Sequence, residues 1–299
     1  MTFAGPARPE PEYNRKTPAS GPTVLRIVLG GQLRRLREEA GLSRAQAGDL
    51  IRGSESKISR LELGKVSFKA RDVADLLDAY GVTGERRQTL LELVEQANRP
   101  GWWHQYGDVL PQWFETYLGL EQDAARIREY QLQFVPALLQ TADYARAAIR
   151  LGHPSADERE LQRRVELRMR RRELLTRPDP PHLWVVMDEA VLVRPVGGRA
   201  VMRAQLRHLA EICAMPTVTV QVVPFSAGGH AAAGGAFTLL RFAEPGVPDI
   251  VYLEQLTGAL YIDKPAEVER YQKVMDRLCV DAEPDRRTPD IIADVLRRM

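Results

Sequence analysis

Residues 41–64 read GLSRAQAGDLIRGSESKISRLELG, and this stretch decides the fold of the first third of the chain. Ser43 can cap a helix by accepting from the free N–H groups of its first turn, and Gln46, three residues on, can reach back as in a capping box. A helix is therefore expected to begin at Arg44. Along it Ala47, Gly48, Leu50 and Ile51 recur three and four apart, which groups them on one face. Arg52-Gly53 breaks the run, and Gly53 suits a turn. Ser54 then offers a second N-cap, and Ile58 and Leu61 mark the buried side of the helix that follows. Glu55, Ser56, Ser59 and Arg60 fall on its opposite face, and all four are polar. Gly48 belongs at the crossing of the two helices, where a missing side chain allows close approach and offsets a propensity cost of about 1 kcal/mol.

Two short helices joined by a tight turn, the second polar on its outward face, have the layout of a helix-turn-helix whose second helix enters a major groove. A helical hairpin with merely solvated polar residues is the alternative, and the flanks argue against it. Val24 to Glu39 places Ile27, Leu29, Leu33 and Leu36 near one stripe. Phe68 to Tyr80 repeats the pattern with Val73, Leu76, Leu77 and Tyr80, and Glu85 to Ala97 supplies Leu90, Leu91, Leu93 and Val94. Together these predict a five-helix domain over residues 23–98.

The second helix also carries the string S-x-S-K-x-S-R-x-E-x-G at Ser54, Ser56, Lys57, Ser59, Arg60, Glu62 and Gly64. With it the chain resembles the Xre/Cro-like helix-turn-helix family. The resemblance implies a structural ion pair between Arg37 and Glu62. It implies base contacts from the start and outward face of the helix, which fall on Ser54, Glu55, Ser56, Ser59 and Arg60. Arg44, Lys57, Lys65 and Lys69 would contact phosphates. Two departures stand out: Arg52 occupies the usual turn-glycine position, the glycine coming one residue later, and Gly48 replaces the usual alanine.

The 299 residues hold 42 Lys+Arg against 40 Asp+Glu, a formal net charge of +2, so total charge says little about a polyanionic partner. Between Val24 and Gly81 basic residues outnumber acidic ones, eleven to eight. Most of those acids lie outside the second helix, which leaves its outward surface free to be basic. Two cysteines, Cys213 and Cys279, cannot build a disulfide framework and read as core thiols of a reducing cytoplasm. No apolar run approaches the roughly 20 residues needed to span a bilayer, so no membrane association is expected. Residues 1–22, rich in proline and polar residues, read as a disordered tail whose Arg8, Arg15 and Lys16 could brush DNA.

The window 99–114 gathers Trp102, Trp103, Tyr106, Trp113 and Phe114, which reads as a buried aromatic hinge. A stacking platform for single strands would need interleaved Lys or Arg, which the window lacks. Beyond it, over 115–285, helices and strands mix. Arg126–Phe134, Leu183–Met187, Thr217–Val223, Ala236–Phe242, Ile250–Glu254 and Ala259–Ile262 read as strands. Glu115–Ala124, Thr141–Leu151, Asp157–Thr176, Ala200–Ala214 and Ala266–Val280 read as helices. A last helix over 286–299 opens at a Thr288 cap with Pro289 in its first turn. The fold class expected is mainly α with α+β: an N-terminal five-helix helix-turn-helix domain followed by a mixed α+β effector domain.

The strings FVPALLQTADYARAAI, LWVVMDEAVLVRPVGG, MRAQLRHL, TVTVQVVPFSAGGHAAAGGAFTLLRF and VYLEQLTGALYID resemble the effector domain of actinobacterial WhiJ-like, antitoxin-like regulators. That resemblance implies a small acidic partner protein and carries no catalytic residues. Nor does the second half show chemistry of its own. His104, His153, His182, His208 and His230 form no H-E-x-x-H motif, so no metal is expected. Ser155, Ser226, Lys264 and Lys273 are too few for a Ser-Lys dyad. In FSAGGHAAAGG, Gly229 and Gly234 have phosphate-loop spacing, but Gly235 and Ala236 stand where Lys and Ser/Thr are needed. This loop reads as a flexible hairpin or lid whose His230 could flank a ligand pocket, and Asp188-Glu189 as a turn or helix cap. The run Arg163, Arg164, Arg168, Arg170, Arg171, Arg172 reads as a solvated helix face, with an acidic partner as its next best use.

The expectation is a cytoplasmic, non-enzymatic regulator that binds double-stranded DNA as a homodimer, without cofactor, its second domain serving dimerisation and the sensing of an unknown small-molecule ligand or partner. The alternative is an antitoxin-like protein that binds a small acidic partner and regulates its own operon.

Overall fold

The computed structural model of the chain describes residues 20–299, so the expected tail, with Arg8, Arg15 and Lys16, lies outside the described residues apart from 20–22. The chain divides into two units: residues up to Arg99 with the loop Glu244–Val247, and Pro100–Ala243 with Pro248–Met299. No helix of the described residues is long and apolar enough to cross a membrane.

The first unit contains α1 (Pro22–Glu39), α2 (Arg44–Leu50), α3 (Glu55–Glu62), α4 (Ala70–Ala79) and α5 (Gly84–Ala97). Helix α1 packs on α3 and α5, and α2 on α3 and α4. Leu29, Leu33, Ile58, Leu76, Leu77 and Val94 are fully enclosed at their centre. Leu50 departs from expectation and is exposed. The buried stripe of α2 is Ala47, Gly48 and Ile51, and at about 100° per residue Leu50 falls off its edge. Ile27 and Leu91 likewise sit on the margins of their stripes.

The second unit is built on one six-stranded sheet of order β3-β2-β1-β4-β5-β6. Helix α6 (Gln112–Asp123) leads into β1 (Ala124–Gln131). Then follow α7 (Ala142–Gly152), α8 (Glu158–Arg171), β2 (His182–Asp188), the short α9 (Ala190–Val193), α10 (Arg199–Ile212) and β3 (Val218–Val223). Strands β1, β2 and β3 are mutually parallel, so helical crossovers must join them. Then β4 (Phe237–Phe242), β5 (Ile250–Gln255) and β6 (Gly258–Ile262) add an antiparallel meander on the other side of β1. Helix α11 (Pro265–Asp281) buries Val268, Met275 and Leu278 against Tyr130, Val186, Phe237 and Val251 of one sheet face. Helix α12 (Thr288–Arg298) closes the chain.

Four expectations for this unit need correction. The loop after β3 is not a hairpin, because β3 and β4 are not neighbours; it arches past the ends of β2 and β1. Within the arch His230 meets the Tyr130 hydroxyl at 2.9 Å, and its Nδ1 accepts from the Ala232 N–H at 3.3 Å. Thr288 does not cap α12 with its side chain: its hydroxyl donates to the Val220 carbonyl at 2.6 Å and ties the helix to strand β3. Helix α12 therefore docks on its own chain, against α9, α10 and β3.

The aromatic window belongs to the second unit, where Tyr106 lies under the Arg163 guanidinium at 4.5 Å and Trp102 under that of Arg170 at 4.9 Å. The arginine run of α8 is accordingly not a solvated face. Arg163 also pairs with Asp108 at 3.0 Å, Arg168 donates to the Gln140 side chain at 3.0 Å, and Arg172 meets His208 at 2.6 Å. Arg171 makes a buried bidentate pair with Glu121 at 2.8 and 2.9 Å. Asp188 does act as a local cap, accepting from the Ala190 N–H at 2.8 Å, and Glu189 accepts from the Phe225 N–H at 2.8 Å.

Candidate nucleic-acid interface

Helix α2 begins with both halves of a capping box: the Gln46 N–H donates to Ser43 Oγ at 3.2 Å, and the Ser43 N–H to Gln46 Oε1 at 2.8 Å. Ser54 caps α3 by accepting from the Lys57 N–H at 3.2 Å. Between the caps the chain turns at Arg52, whose φ of +50° places a non-glycine residue in the left-handed region; Gly53 does not adopt it. The left-handed site is thus the one where the family pattern has its glycine. Gly53 lies against the Lys57 stem instead, where an added Cβ would sit 2.8 Å from Cδ.

Close backbone contacts fix where α3 lies. A Cβ on Gly48 would stand 3.0 Å from the Gly53 carbonyl oxygen, so the α2–α3 crossing is as tight as the sequence suggests. Two further glycines, which sequence reasoning missed, press α3 onto α1. A Cβ on Gly30 would lie 2.5 Å from the Leu61 carbonyl oxygen, and one on Gly64 2.7 Å from the Ile27 nitrogen. Gly64 also has φ +65°, a conformation that favours glycine.

A buried charged knot holds the same three helices. Arg37 of α1 donates to Glu62 of α3 through Nε and, at 3.2 Å, through Nη2, and its Nη1 donates to the Leu42 carbonyl at 2.7 Å. Arg44 at the start of α2 gives Glu62 a third donor at 3.0 Å. Both Arg37 and Glu62 are buried, and the paired carboxylate holds the Arg37 guanidinium more firmly charged. Burial, helped by the Glu62 charge, pushes the Tyr80 hydroxyl up to about 12.

The residues expected to face bases are presented together: Ser54, Glu55, Ser56 and Arg60 are exposed and Ser59 is half-buried on the same helix. Arg60 rests loosely on its own helix, Nε 3.4 Å from the Ser56 carbonyl. The residues expected at phosphates fall into two groups. Lys65 and Lys69 are exposed. Arg44 is engaged with Glu62, and Lys57 pairs with Asp72 of α4 at 2.6 Å. Asp72 lies fifteen residues from Lys57, beyond any local pattern, so only the fold brings the pair together. The surface can therefore offer hydrogen-bond donors and acceptors from one helix, flanked by the exposed Lys65 and Lys69.

Residues 28–90 match a family described as a helix-turn-helix domain, which covers α2, α3 and most of their flanks. Residues 114–294 match a family described as a domain of unknown function, DUF5753. No curated protein and no solved structure matches the chain. That second match runs from within α6 into α12 and takes in the whole sheet, more than half of the chain: the protein belongs to the DUF5753 family and carries a helix-turn-helix domain ahead of it.

Proposed function

We propose that the chain is a sequence-specific, DNA-binding transcription regulator of the Xre type, working in the cytoplasm as a homodimer, with a second unit that regulates rather than catalyses. One observation carries this reading: α3 is clamped by Gly30, Gly48, Gly64 and the Arg37–Glu62–Arg44 knot while Glu55, Ser56 and Arg60 stay exposed. A helix that rigid, with a polar outward face, suits major-groove readout, where Arg pairs with guanine and Glu accepts from cytosine. Arg44 serves the knot in this reading, and Lys65 and Lys69 grip phosphate.

The test is selection of genomic DNA on the purified protein, followed by footprinting of Arg60→Ala on the selected site. Losing a guanine contact should weaken binding by about 1–3 kcal/mol and relax selectivity at that one position. An unchanged footprint and affinity would overturn the assignment of Arg60.

A further inference from the structure

The second unit holds a half-open cavity of about 270 Å³ between the aromatic segment, α6 and the end of α8. The charged pair Arg171–Glu121, almost wholly buried, lies at this cavity and satisfies itself bidentately. One wall is Trp102, with Leu118 and Leu174 adding apolar surface. Two other guanidinia line it without a carboxylate partner among the described residues. Arg170 rests 4.9 Å over the Trp102 ring, and Arg177 donates to the Gln122 and Asp179 backbone carbonyls. Opposite in character, Glu173 adds an exposed carboxylate.

We propose that this cavity is a ligand site for a small planar organic anion that also carries an amino group. The ring packs against Trp102, the anionic end meets Arg170 and Arg177, and the amino N–H donates to the exposed Glu173 carboxylate. The volume sits at the small end of ligand pockets, which fits a single ring with substituents better than a dinucleotide. The buried pair keeps its own charges balanced, so the net attraction for an anion comes from Arg170 and Arg177.

The matched probes 4-aminobenzoate, benzoate and aniline separate the three elements of this site. The full chain, labelled with 5-fluorotryptophan, gives one fluorine resonance for each of its four tryptophans. The Trp102 resonance should shift saturably with 4-aminobenzoate, with a dissociation constant of about 1 mM or below for a ligand of about ten heavy atoms. Benzoate and aniline should bind about tenfold more weakly, each lacking one charge-assisted or donor contact. Arg170→Ala with Arg177→Ala should remove the advantage of the carboxylate and leave aniline unaffected, the other three tryptophan resonances reporting an intact fold. A Trp102 resonance unmoved at about 10 mM 4-aminobenzoate, equal binding of all three probes, or undiminished binding in the double variant would each overturn the proposal. The measurement uses no DNA, so its failure and that of the DNA-binding reading are separable.

Discussion

Glu129, on β1, is a carboxylate with almost no access to solvent, and burial pushes it up to about 7 from an ordinary 4.5. The Gln131 side chain donates to it at 2.7 Å, while the charges of Glu121 and Glu254 oppose its ionisation and that of Arg171 favours it. Because the folded chain holds this proton more tightly than the unfolded one, its stabilising contribution is complete below about 4.5. It is lost as pH rises through about 7. Across that window the effect is on the order of 3 kcal/mol. Glu129→Gln keeps an acceptor for Gln131 and cannot ionise. Urea midpoints of the second unit's transition at pH 5.5 and pH 8 should therefore converge in the variant, while the wild type is less stable at the higher pH; equal pH dependence in both would remove Glu129 as the cause. Apart from Gln131 two residues on, nothing local marks this residue: the charges that act on it come from α6, α8 and β5, and only the fold collects them.

At the scale of elements, the helices of the first unit were legible because their signals are local. Caps at Ser43 and Ser54 and apolar spacing along α1, α4 and α5 place each boundary within a few residues. The arginine run on α8 defeats local reasoning for the opposite reason: its partners Asp108, Glu121 and Gln140 are 28 to 55 residues away. The arch after β3 looks like a hairpin in sequence because strand order is not a local property. Glycines lie between these cases. Gly30 and Gly31 look alike in sequence, yet a Cβ on Gly30 would strike the α3 backbone at 2.5 Å, and one on Gly31 would meet nothing within 4 Å. Gly31→Ala should therefore stabilise the first unit by about 0.5–1 kcal/mol through helix propensity. Gly30→Ala should destabilise it by about 2 kcal/mol, because backbone yields less readily than a side chain, and should displace α3. Urea unfolding of the two variants checks the pair, and a stabilising Gly30→Ala would refute the tight α1–α3 contact.

For the whole molecule, the central quantity is how much sequence one short helix can read. Helix α3 has eight residues, of which Glu55, Ser56 and Arg60 stand exposed with Ser59 partly so. Three or four side chains discriminate only a few base pairs at about 1–3 kcal/mol each, too little to single out a site in a genome of about 10⁶ or more competitors. In the homodimer proposed here, two copies on one operator would supply the missing selectivity. Two-fold symmetry then demands inverted half-sites whose centres lie about 10–10.5 base pairs, or a multiple, apart. The selected DNA should show that inverted repeat. Inserting about five base pairs between the half-sites turns one to the opposite side of the duplex, and affinity should fall toward that of a single half-site. Light scattering of the protein–DNA complex gives the stoichiometry independently. One chain per operator, with affinity indifferent to the insertion, would show that α3 reads alone and that selectivity arises elsewhere in the protein.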